Sequence, residues 1–128
     1  MATYDYQALG QKMYGSTEIS DLVGTRIYHG TVPETESTLP NINYFLVSRP
    51  NIAFGYVQRP RFQISCRAET AAEAMNLAQT VREVLINLQE SIGGFDIQDI
   101  YYDDSRMLLE PENIHHVPVD VFMTYNST

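Results

Sequence analysis

The residues able to do chemistry are few. His115 and His116 stand side by side with Asp120 just beyond them, and imidazole with carboxylate is a donor set that suits zinc or iron. Their segment, "HHVPVDVFMTY", alternates apolar and polar residues as a strand does. Neighbours on a strand point to opposite faces, so the two imidazoles cannot easily share one ion, and an ordinary strand entrance is the simpler reading. Asp103 and Asp104 precede Ser105 in a stretch that reads as a turn, with no further ligands at the spacing of a calcium loop. Cys66 is the only cysteine, which excludes an intramolecular disulfide and a thiolate zinc cage. It falls on the apolar side of "RFQISCR", the place of a buried, inert thiol rather than a nucleophile. Neither a phosphate-cradling loop nor a dinucleotide fingerprint is present, and nothing singles out an acid–base pair among the carboxylates. The expectation is a protein with no catalytic, metal or cofactor-binding residue.

Composition narrows the classes further. Hydrophobic residues make up 44% of the 128 residues and charged residues 19%, enough apolar material for a single core and too little charge for a disordered body. Sixteen acidic residues against eight basic ones leave a net charge of −8, which disfavours nonspecific attraction to phosphate backbones or anionic lipid. Every basic residue except Lys12 is an arginine. That bias suits planar, bidentate pairing at interfaces, although an accident of composition accounts for it equally well. No run is apolar for long enough to span a bilayer, and "MATYDYQALG" lacks the basic start and apolar run of a signal peptide, so the expected place of synthesis is the cytoplasm.

The elements that must position these residues follow from periodicity. "YDYQALGQKMYG" is interrupted by Gly10 and ended by Gly15, and reads as one or two marginal turns. In "STEISDLVG" a Ser or Thr caps, Glu18 sits in the first turn, Ile19, Leu22 and Val23 form a stripe, and Gly24 closes a short helix. "TRIYHG" is a brief strand, "TVPETESTLPN" a surface loop, and "INYFLVS" a central strand apolar on both faces. "RPNIAFGYVQRP" brackets Phe54 and Tyr56 with prolines, which gives a hairpin arm at about 48–60. In "RFQISCR", Phe62, Ile64 and Cys66 point one way and Arg61, Gln63, Ser65 and Arg67 the other. A capping box at Thr70 and Glu73 opens a helix whose stripe runs from Ala74 through Leu77, Val81, Leu85 and Leu88 to Ile92, stopped by Gly93 and Gly94. "FDIQDIYYDD" is a strand, a loop spans about 103–114, and Pro118 in the last strand implies an unpaired edge there. The fold class expected for residues 1–128, taken as one domain, is α+β: an antiparallel sheet of four or five strands, one long helix across one face, and a short N-terminal helical region.

Three stretches, "TEISDLVGTRIYHGTVPE", "LPNINYFLVS" and "RPRFQISCRAETAAEAMNLAQTVREVL", carry a likeness that the closing "HHVPVDVFMTY" completes. A short helix ending in a Leu-Val-Gly segment before "RIY", a proline ahead of a strand, and an Arg- and Ile-bearing strand running into an Ala-rich helix together resemble the tail completion or tail terminator proteins of long-tailed bacteriophages. The likeness leaves out residues 1–15 and "SRMLLEPEN". It implies a non-enzymatic virion protein of the tail–neck region, assembled in the host cytoplasm as a hexameric ring that caps the tail tube, stops its growth and joins tail to head. Its implied partners are copies of itself, the tail tube protein and a head–tail connector protein, with no membrane and no cofactor. On that reading Phe54, Tyr56, Arg59, Arg61 and Arg67 are expected at assembly interfaces, since aromatics and arginine are enriched there. Asp103, Asp104 and Glu110 are expected to face the lumen, repelling DNA that passes without specific binding, although solubility alone would explain the same acids. Two other readings stay open: a head-completion or connector adaptor in the neck, and a small ligand-binding or metal-dependent α+β enzyme using His116 and Asp120.

Overall fold

The computed structural model describes residues 4–32, 38–49, 57–105, 107–110 and 114–126. In chain order these form α1 (Asp5–Tyr14), α2 (Thr17–Val23), β1 (Ile27–His29), β2 (Asn41–Ser48), β3 (Val57–Gln58), β4 (Arg61–Ala68), α3 (Ala71–Leu85), β5 (Glu90–Ile92), β6 (Phe95–Ser105), β7 (Leu108–Glu110) and β8 (Ile114–Asn126). The architecture is α+β, and the strands make one eight-stranded sheet in the order β1-β2-β4-β8-β6-β5, with β3 and β7 also paired to β8. Four or five strands were too few, and the sheet is not wholly antiparallel, because β1 runs parallel to β2 with Ile27 opposite Ile42. The five longer patterns are all strands. The three added ones have two or three residues each, too short to display any period.

The first helix is a full ten residues rather than marginal turns. Gly10, which lowers its intrinsic propensity, is buried against β2, where an added Cβ would overlap Tyr44 Oη; packing overrides propensity here. Ser16 caps α2 by accepting from Ile19 N at 3.3 Å, and Gly24 ends it at φ 60°.

Helix α3 begins where its capping residues predict, with Thr70 Oγ1 accepting from Glu73 N at 3.2 Å. It ends at Leu85, well before Gly93 and Gly94. Ile86 is extended and Asn87 takes φ 64°, a left-handed conformation that asparagine tolerates, while its N–H donates to Ile100 O at 2.7 Å. The helix is therefore about 22 Å long; Leu88 lies on the approach to β5 and Ile92 ends β5, in the hairpin that turns at Gly93–Gly94. Ala74, Leu77, Ala78, Val81 and Leu85 pack on Phe62, Ile64 and Cys66 of β4 and Val117, Val119, Val121 and Met123 of β8. Each large side chain so buried contributes roughly 1.5–3 kcal/mol of hydrophobic stabilisation.

The loop expected at 103–114 is mostly strand. β6 continues through Asp103 and Asp104 to Ser105, and β7 pairs with the start of β8. Pro118 falls in the gap between them: β6 pairing ends at Val119 and β7 pairing begins at His116, so no ladder bond from that side is needed at the proline.

Candidate functional site

The face of the sheet opposite α3 carries the polar half of the strand alternation. Across it lie Asn41 and Asn43 from β2, Arg61, Gln63, Ser65 and Arg67 from β4, and His116, Asp120 and Phe122 from β8, in the registers Arg67↔His116, Gln63↔Asp120 and Arg61↔Phe122. Arg61 Nη2 donates to Asp120 Oδ2 at 2.7 Å, an ion pair in which the carboxylate is buried and the guanidinium about one-third exposed. Arg59, just before β4, places its guanidinium 4.8 Å from the centre of the Tyr101 ring and 5.1 Å from that of Phe122. Those two rings stack at 5.4 Å, and Arg61 also lies over Phe122 at 5.7 Å. Each such cation–π contact contributes about 0.5–1 kcal/mol at a partly wet site.

The far end of the same face is tied in the same lateral manner. Arg67 Nη1 donates to Asn43 Oδ1, Asn43 Nδ2 donates to Gly30 O at 2.7 Å, and Gln63 Nε2 donates to Ser65 Oγ at 3.1 Å. His116 and Asp120 share this face but lie four residues apart along β8, about 13 Å, and Asp120 is engaged by Arg61, so they do not form an acid–base dyad. His115 points to the opposite face, opposite Leu109 and Ala68. Among the described residues no three His, Cys, Asp or Glu side chains gather as a metal site would require. Cys66 has no exposed surface, and burial pushes its thiol up to about 12 against the weaker pull of Arg67 and Arg82, so it stays protonated and unreactive at neutral pH.

An open cleft of about 750 Å³ lies between the α1–α2 corner, α3 and the β5 hairpin. It holds the Lys12–Glu90 ion pair, 2.5 Å long, with Glu18 and Glu83 on its walls. These carboxylates are exposed, and neither imidazole nor thiol lines the cleft beside them. It is a solvated corner without the parts of a reaction site.

The family of Tail completion protein gp17 matches residues 7–126. The chain belongs to this family of tail completion proteins. Membership makes it a structural protein of the phage virion, located in the tail–neck region and assembled with other tail and head proteins, and not an enzyme. Solved structures share its fold. A chain of the virion of a native gene transfer agent particle superposes with a TM-score of 0.76, at 14% identity, over 94% of this chain and 93% of that one. A second solved chain gives a TM-score of 0.62 at 13% identity over 96% and 94%. None of the curated proteins matches the sequence.

Of the residues expected at interfaces, Arg59 and Arg61 share one end of the open face of this family member, and Arg67 lies at the far end, about 20 Å along β4. Phe54 and Tyr56 lie outside the described residues. Asp103, Asp104 and Glu110 are placed by their backbones in β6 and β7, with Asp104 opposite Asp120, and their side chains lie outside the described set.

Two residues that periodicity passes over, Asp5 and Arg49, meet Tyr125 of the last strand and join the two ends of the chain. Asp5, buried in the first turn of α1, accepts from Tyr125 Oη at 2.8 Å and pairs with Arg49 Nη1 at 2.6 Å. Burial, helped by the bond to Asp5, pushes the Tyr125 phenol up to about 12, and the Asp5 carboxylate raises the Arg49 guanidinium further above its usual range. The knot anchors the chain at Arg49, just where the arm begins. A lone acid near the N-terminus and a lone arginine before a proline give no sequence signal of their meeting.

Proposed function

We propose that this protein forms a hexameric ring at the end of the tail tube, halts the tube's growth and provides the joint to the head connector. The family match across residues 7–126 carries this reading. A tube grows because each ring presents a surface complementary to the next, a heterologous contact that never closes on itself. A terminating ring matches that surface on one side and offers a different one on the other. Arg59, Arg61 and Arg67, with Phe54 and Tyr56 of the arm, are the contact residues in this proposal. The arginines suit the role because Asp120, Asn43 and two aromatic rings already hold them, so little side-chain freedom is lost on docking. Asp103, Asp104 and Glu110 face the lumen in the same proposal, and the net charge of −8 supports a channel wall to which DNA does not adhere.

Deleting the gene tests the role. Electron micrographs of the resulting lysate are expected to show tail tubes of uncontrolled length. Tails of normal length left unattached to heads would instead identify a head-completion adaptor, and normal complete particles would remove the protein from the neck.

A further inference from the structure

The described surface carries a methionine-bearing groove toward the other end of the sheet from Arg49 and Val57, lined also by Gln79. Met75 and Arg82 of α3 form one wall, Tyr102 of β6 and Met107 the other, and Val117 of β8 the floor, around a volume of about 330 Å³. Met75 is 59% exposed, Tyr102 39% and Met107 40%, and Leu109, on the same side of the sheet by its pairing with His115, is 67% exposed. Several large apolar side chains left in water side by side mark a docking surface rather than ordinary scatter. Methionines suit that task, since a flexible thioether adapts to an aromatic edge. Arg82 already lies 5.3 Å over the Tyr102 ring, leaving the methionine side for an incoming group.

The arm supplies a matching occupant. Residues 50–56 read Pro-Asn-Ile-Ala-Phe-Gly-Tyr, uncharged and aromatic, and they leave the described fold at Arg49 and rejoin it at Val57. Both anchors sit at one end of the sheet, Arg49 on Tyr125 and Val57 opposite Asn126. The groove floor at Val117 is nine residues back along β8, about 30 Å away. A segment that must leave and return over residues 50–56 reaches at most about 14 Å from its anchors. Seven residues that leave and return thus fall short of the Val117 floor in their own chain, whereas the Tyr102 wall, opposite Val121, stands about 17 Å from the same anchor.

The geometry points to a head-to-tail contact in which the arm of one copy, through Phe54 and Tyr56, seats in the Met75–Tyr102–Met107 groove of the next. This rests on the ring reading and gives it a mechanism. Donor and acceptor surfaces differ and lie toward opposite ends of the sheet, which is the heterologous arrangement that generates a ring when its rotation closes. An aromatic anchor entering a preformed apolar pocket is where binding energy concentrates in such interfaces.

Disulfide trapping in the full chain tests the contact, because the one native cysteine, Cys66, is buried. The variant carrying Phe54→Cys and Met75→Cys, oxidised at a concentration where the unmodified protein forms rings, is expected to convert from a monomer band into a ladder of covalent multimers on a nonreducing gel. Each single variant is expected to remain a monomer on that gel. Intact rings that yield no ladder, or a link formed within one chain, would overturn the arm-in-groove contact and leave the ring standing. An unmodified protein that sediments as a monomer at high concentration would overturn the ring itself. Met75 is exposed, so folding is not at risk there; Phe54→Ser with an unchanged circular dichroism spectrum and at least about tenfold weaker association provides the second readout.

Discussion

Strand β4 presents two faces that are stabilised by different means. On the side of α3, Phe62, Ile64, Cys66 and Ala68 have no exposed surface and are held by shape and exclusion of water. On the other side, Arg61, Gln63 and Arg67 stay half-exposed and are held sideways, by Asp120, Ser65 and Asn43 on the same or neighbouring strands. The first face needs a helix as its lid. The second ties its arginines sideways within the sheet but leaves Asn41 Oδ1, Arg59 Nε and Asp120 Oδ1 buried without a hydrogen-bond partner among the described residues, so it stands in water with polar capacity that another molecule can still take up. A protein that must exist both free and assembled benefits from such a face.

Four variants test how different the faces are. Phe62→Ala is expected to cost about 3–5 kcal/mol of unfolding free energy in urea titrations, since it empties a fully buried site. Asp120→Ala, which strands Arg61 at a site open to solvent on one side, is expected to cost less, about 1–3 kcal/mol. Replacing both partners, Arg61→Leu with Asp120→Leu, should recover most of that loss, because no uncompensated charge remains. A cost for Asp120→Ala as large as that of Phe62→Ala would mean that the open face is a second core. Ser65→Ala, which removes only the acceptor for Gln63, is expected to cost the least, about 0.5–1 kcal/mol in the same titration.

The helix-covered face was largely legible in the sequence, because period-two alternation in "RFQISCR" and the stripe from Ala74 to Leu85 report burial directly. The end of α3 was not. Leu88 and Ile92 continue the stripe numerically, and the residue that breaks it, Asn87, is recognised only once its positive φ is seen. β5 and β7 were hidden for a related reason, since three-residue strands are defined by their partners rather than by their own pattern. The open face was legible as a set of residue types but not as contacts. That Arg61 meets Asp120, or that Asp5 meets Arg49 and Tyr125, depends on register and closure between residues far apart in the chain. Gly10 shows the converse case, in which local propensity argues against a helix and a tyrosine from another element decides for it.

Both borders of the main strand order, β1 and β5, are only three residues long. They cover little of the strands behind them: β5 pairs with β6 only at Phe95, Asp96 and Ile97, so the outer side of β6 from Gln98 to Ser105, where Asn87 N bonds to Ile100 O, is the long edge onto which another strand could zip.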